Sequence, residues 1–215
     1  DLFIEHCKEF SDQYVLIGGA ACDLALEEMG VGFRATRALD IVLCAEALTR
    51  SFVESLWAFI RAGEYEIQEK STGEKQFYRF RKPRRDEFPS MLEFFARAPD
   101  ALALAEEQHL TPILVEAEAV SLSAILLDEA YYGWIKQGHL VLRGVPIVDP
   151  EHILPLKARA WLDLTARKTR GGEVQSRDIK KHKNDVFRLV AVIDPEPDQK
   201  VPERIKTDMR QFLAG

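Results

Sequence analysis

A pair of glycines sits where a short β-prone run meets a helical one, and that junction constrains the chain more than any other feature. Tyr14-Val15-Leu16-Ile17 is a run of strand-forming side chains, Gly18-Gly19 follow without a spacer, and Ala20 to Met29 has helical character, stopped by Gly30 and Gly32. Glycine lets the backbone approach another group closely, and the first turn of the helix beyond it carries N–H groups with no partner of their own. Strand, glycine pair and helix in that order is a layout suited to binding phosphate. Taken alone, it is more often only a tight strand-to-helix turn.

The pattern continues as an alternation of strands and helices. Leu39-Asp40-Ile41-Val42-Leu43 predicts a second strand, and Glu46 to Ala62 carries Leu48, Phe52, Leu56, Phe59 and Ile60 at helical spacing before Gly63. Residues 64–68 and 75–81 predict strands, and a charged, proline-containing loop over 82–89 leads to Met91-Leu92-Glu93-Phe94-Phe95. A strand is expected at 110–116 and a helix at 121–129, then a small hairpin around Arg143-Gly144. Asp149-Pro150 is a cap followed by a first-turn proline, and it opens three predicted helices at 150–168, 176–193 and 202–213. The expected fold class is therefore α/β (α+β): a mixed-sheet core over residues 1–148 with a C-terminal helical module over 149–215. At 215 residues the chain is long enough for both.

The second strand sharpens the functional reading. Arg34-Ala35-Thr36-Arg37-Ala38-Leu39-Asp40-Ile41-Val42-Leu43 resembles the acidic strand of polymerase-β-like nucleotidyltransferases, normally written D-x-D. Carboxylates two residues apart on a strand point to one face, about 7 Å apart. That spacing suits Mg²⁺ held against a triphosphate and an attacking hydroxyl. Asp40 takes the second position and Ala38 the first, where a methyl group cannot ligate a metal. Glu93, set among apolar neighbours on its own strand, is the candidate third carboxylate, although an edge-strand glutamate is its plain alternative. The flanks around Ala38 are intact, so position 38 is an isolated departure, either a deliberate inactivation or a natural replacement.

Leu16-Ile17-Gly18-Gly19, the Arg34–Asp40 segment, Pro155-Leu156-Lys157-Ala158 and Asp178-Ile179-Lys180-Lys181-His182-Lys183-Asn184-Asp185 together resemble the AbiEii/AbiGii nucleotidyltransferase toxin family. The resemblance runs from about residue 14 to 193 and rests on the order of short motifs. It implies a nucleotidyltransferase fold and a cytoplasmic toxin of a bacterial toxin–antitoxin system. It also implies NTP as substrate, Mg²⁺ as cofactor, transfer to RNA (tRNA ends in some members) and a cognate antitoxin as partner. Gly18, Gly19 and Asp40 then belong to the nucleotide and metal site, with Lys157 and Asp185 matching a lysine and an aspartate of the family. Lys157 lies four residues from both Ile153 and Trp161, so it borders the apolar stripe of its helix. It either snorkels or points into a cleft to neutralise triphosphate charge, and Asp185 could orient it as an ion-pair partner.

Charge patterning supplies the acceptor candidates. The formal charge is −6, which argues against a generic polyanion binder. The cations are nonetheless clustered, at Lys75, Arg79, Arg81, Lys82, Arg84 and Arg85, and again from Arg167 and Lys168 through Lys180, Lys181 and Lys183. Arg79, Arg81, Arg84, Arg85, Arg167, Lys168, Lys180 and Lys181 are the expected contacts to acceptor phosphates, although a charge run is usually just a solvated face. The five histidines and three cysteines show no metal-ligand spacing, and the cysteines are expected to be reduced thiols. No signal peptide and no membrane span is expected. Two other functions fit the same residues. One is nucleotide transfer to a protein or small-molecule acceptor; the other is a non-catalytic binding protein on a nucleotidyltransferase fold.

Overall fold

The computed structural model describes residues 2–32, 36–44, 47–72, 75–96, 128–193 and 200–215. These divide into two compact units, one within Asp1–Leu114 and His139–Val148 and the other within Val115–Gly138 and Asp149–Gly215. The predicted mixed α/β class is observed. The predicted strand at 110–116 lies outside the described residues, as does the predicted helix at 121–129 except at its last two positions. There, Asp128 is extended and caps a helix that begins at Glu129.

In the first unit, helix α1 (Leu2–His6) and a 3₁₀ turn precede strand β1 (Tyr14–Ile17) and helix α2 (Gly18–Glu28). Strand β2 (Ala38–Leu43), helix α3 (Arg50–Ala62) and strands β3 (Glu66–Thr72), β4 (Lys75–Arg81) and β5 (Met91–Ala96) follow. The helix expected from Glu46 starts instead at Arg50, because the Thr49 side chain accepts a hydrogen bond from the Phe52 N–H and sets the N-terminus there. The hairpin β6 (His139–Leu142) and β7 (Val145–Val148) turns at Arg143-Gly144, both with positive φ, as a two-residue type I′ connection requires. The strands form one seven-stranded sheet in the order β3-β4-β5-β2-β1-β7-β6. β1 runs antiparallel to β2, and β2 parallel to β5.

Pleating divides this sheet chemically. Ile41 pairs with Phe94 and Phe80 with Leu92, so these side chains share one face. That face is covered by aromatic packing: Phe94 lies 6.1 Å from Phe3, Phe3 lies 5.4 Å from Phe59, and Trp57 meets Phe80 edge-on. α3 supplies it with Phe52, Val53, Leu56, Trp57, Phe59 and Ile60, all buried at helical spacing. Fully burying one such side chain stabilises by about 1.5–3 kcal/mol, so this layer holds the sheet's curvature and register firmly. Alternation then leaves Ala38, Asp40, Arg79 and Glu93 on the opposite face.

The second unit is helical. α4 (Glu129–Gln137), α5 (Pro150–Thr169), α6 (Ser176–Val190) and α7 (Glu203–Ala214) pack around α5, which buries Ile153, Leu154, Leu156, Ala158, Trp161 and Leu164. Asp149 caps α5 by accepting from the His152 N–H at 2.8 Å, ahead of Pro150 as expected. The three predicted C-terminal helices agree with the observed spans to within a few residues at each end. Among the described residues, no helix is long and apolar enough to cross a membrane.

Candidate active site

Gly18 is glycine for two independent reasons. Its φ of +68° lies in the left-handed region, which costs an L side chain about 1–2 kcal/mol. A Cβ at this position would stand 1.9 Å from Oδ2 of Asp40, well inside contact distance. Ile17, just before it, is the cross-strand partner of Asp40. The strand-to-helix junction is therefore folded directly against the Asp40 carboxylate. α2 begins here with Ile17 at its N-cap, a residue whose side chain makes no cap hydrogen bond.

Asp40 and Glu93 are direct neighbours on parallel strands, paired in register and facing the same side. Glu93 is buried, at 7% exposure, with an aromatic residue on its C-terminal side and a leucine on the other. Its Oε1 accepts a hydrogen bond from Arg79 Nε at 2.6 Å, and Arg79 is itself buried across the antiparallel β4–β5 pair. Burial, with the Asp40 carboxylate beside it, outweighs the guanidinium and holds the Glu93 carboxyl well above the usual carboxylate range. Two carboxylates crowded in low dielectric are a place where an added cation relieves repulsion.

This donor set fits one divalent cation and not two. Mg²⁺ is commonly held by one or two carboxylates completed by substrate phosphates, which Asp40 and Glu93 can supply. Ala38, two residues before Asp40 and on the same face, contributes no ligand, and among the described residues no cluster of three acidic, histidine or cysteine side chains forms. Arg37, immediately before Ala38, acts mechanically. Its Nη2 donates to the carbonyl oxygens of Asp86 and Phe88 and ties the β4–β5 loop to the entry of β2.

Lys157 and Asp185 lie in the second unit, where they form a buried ion pair with Nζ 3.3 Å from Oδ2. The pairing raised as an option for Asp185 is thus present, between α5 and α6. The expected acceptor contacts separate into groups. Arg79 departs from that expectation, since its strand register turns it inward against Glu93. Arg84 and Arg85 are exposed but paired with Glu64 at 2.9 Å and with Glu87, and Arg81 is half-buried. Arg167 pairs with Asp163 at 3.1 Å, Lys168 donates to Ser176, Lys180 is exposed and Lys181 is half-buried.

No family model and no curated protein matches the chain. Among solved structures, the chain is similar to that of an antigenic nucleotidyltransferase-like protein from Paracoccidioides brasiliensis, at 16% identity and a TM-score of 0.44, over 99% of this chain and 84% of that one. A likeness of that size carries no functional inference.

Proposed function

We propose that this chain is a nucleotidyltransferase-fold protein whose Gly18–Asp40–Glu93 face is built for nucleotide transfer from an NTP to a hydroxyl, and that Ala38 leaves it inactive as it stands. The observation that carries the reading is the in-register Asp40–Glu93 pair against a glycine that no other residue can replace without displacing Asp40. In this account Gly18, Gly19 and the uncapped start of α2 receive triphosphate oxygens. Asp40 and Glu93 hold the cation, and Mg²⁺, when bound, supplies charge stabilisation for the triphosphate. Glu93, ionised when it shares the cation, is the group suited to take the acceptor's hydroxyl proton as the oxygen bonds to the α-phosphorus and pyrophosphate leaves. Arg79 holds the Glu93 carboxylate in position.

The resemblance of the motifs to AbiEii/AbiGii toxins supports RNA, tRNA included, as the acceptor and a cognate antitoxin as partner. On that reading the exposed Arg84 and Arg85 meet acceptor phosphates. A second reading has its own observation behind it. With Ala38 lacking a ligand and Arg79 already on Glu93, the chain suits a non-catalytic nucleotide-binding role.

Calorimetric titration of Mg²⁺·NTP into this chain, Ala38→Asp and Asp40→Asn tests the assignment. The unaltered chain should bind Mg²⁺·NTP, Ala38→Asp should bind it more tightly, and Asp40→Asn should lose the Mg²⁺ dependence. NTP binding indifferent to Mg²⁺ in all three supports the non-catalytic role, and equal Mg²⁺-dependent binding by Asp40→Asn removes Asp40 from the site.

A further inference from the structure

The helical unit carries a cleft of about 490 Å³ lined by its own residues. One wall is a single face of α5: Arg159, Leu162, Asp163, Ala166, Arg167 and Arg170 recur at steps of three and four residues, and Gln211 of α7 lines the cleft with them. Three guanidiniums therefore face one lining carboxylate. Two of them are held in place, Arg159 with Nη1 3.1 Å from Asp208 and Arg167 with Nε 3.1 Å from Asp163. Arg170 is exposed and has no ion-pair partner among the described residues.

Basic residues in the last turn of a helix are ordinarily explained by its dipole, whose influence fades within that turn. Arg167 and Arg170 suit this explanation, but Arg159 stands ten residues before the helix ends at Thr169, and the dipole gives it no reason to line the same cleft. A guanidinium has five N–H donors in a planar fork, and the single ion pairs of Arg159 and Arg167 leave most of them for a ligand. Fixing those two side chains beforehand lowers the ordering cost of binding. Planar forks match the oxygens of phosphate in pairs, whereas the apolar Leu162 and Ala166 between them suit a ring or sugar face. The volume lies within the range of small-molecule sites.

We propose that this cleft binds the phosphate groups of a nucleotide-sized polyanion, with Arg159, Arg167 and Arg170 as the recognition set. Its ligand chemistry has two sources, a free polyphosphate or the phosphates of an RNA strand. The test uses the full chain in EDTA, so that binding at the carboxylate face is not assisted by a cation. Inorganic tripolyphosphate is titrated calorimetrically into the unaltered chain, Arg170→Gln, Arg167→Gln and the control Lys206→Gln, an exposed lysine outside the lining. Tripolyphosphate should bind, Arg170→Gln and Arg167→Gln should each weaken it roughly tenfold, and Lys206→Gln should leave it unchanged. Arg170→Gln should melt at the same temperature as the unaltered chain, which separates lost recognition from lost folding. A short single-stranded RNA that displaces tripolyphosphate assigns the cleft to nucleic-acid phosphates, and one that fails to displace it assigns the cleft to the free anion. Absence of tripolyphosphate binding, binding that both arginine variants retain in full, or an equal loss in Lys206→Gln overturns the proposal.

Discussion

Gly18 and Asp40 form the tightest constraint at the scale of single residues, because a backbone conformation and a side-chain position depend on each other. Gly18→Ala should destabilise the first unit by about 1–2 kcal/mol from the left-handed φ alone, with a further loss from displacing Asp40. Urea denaturation measures this, and a loss no larger than the backbone cost alone would mean that Asp40 is not held against the junction. Glu93 makes a second residue-scale prediction through pH. Its folded-state affinity for a proton is raised, so its contribution to stability is present in acid, below the ordinary glutamate range. As pH climbs, the unfolded chain releases that proton first and stability falls, by at most about 1.4 kcal/mol per pH unit, until the folded carboxyl ionises as well. Glu93→Gln should flatten that descent in denaturation midpoints measured across pH, and an identical slope in the variant would assign the titration elsewhere. Arg79→Gln should cost more at high pH than at low, since a protonated Glu93 needs no counter-charge.

At the scale of elements, the helical unit is clasped by one buried carboxylate. Asp208 of α7 accepts from the Tyr131 hydroxyl of α4 at 2.9 Å and pairs with Arg159 of α5 at 3.1 Å. Asp208→Ala leaves the buried Tyr131 hydroxyl without its acceptor and Arg159, which reaches solvent, without its partner, and should destabilise by about 1–3 kcal/mol, visible as a fall in melting temperature. A loss below about 1 kcal/mol would show that solvent replaces the clasp. Elements of this kind were legible in the sequence where the signal is local. The Asp149-Pro150 cap, the Arg143-Gly144 turn and the period-two burial around Asp40 each follow from a few adjacent residues. The same alternation made the Asp40–Glu93 pairing foreseeable once their strands were taken as neighbours. Arg79 was not legible, because its inward direction depends on the register between β4 and β5, and a shift of one residue would have turned it to the other side. The Gly18–Asp40 contact was visible only as a glycine pair; its cause is a positive φ, which sequence alone does not report. The cleft on α5 escaped for a different reason. Arg167 and Arg170 were counted with a basic run that begins at Arg167, Arg159 stood outside it, and only the shared face of α5 and its packing with α7 brings the three to one cleft.

On the scale of the whole molecule, a carboxylate face in one unit and a guanidinium cleft in the other give opposite charge to two sites within an overall acidic chain. If RNA is the acceptor, binding should weaken steeply with salt, with a log–log slope of about −0.7 for each phosphate neutralised. A slope near zero would point to a protein or small-molecule acceptor instead. The central claim is that a nucleotide-transfer site is complete except at position 38. Incubating this chain and Ala38→Asp with total cellular RNA, Mg²⁺ and each of four labelled NTPs tests it most directly. The account predicts labelled RNA with Ala38→Asp and none with the unaltered chain, and the labelled band names the acceptor. Labelling by the unaltered chain, or by neither, would contradict the assignment of position 38 as the missing ligand of an RNA-directed nucleotidyltransferase.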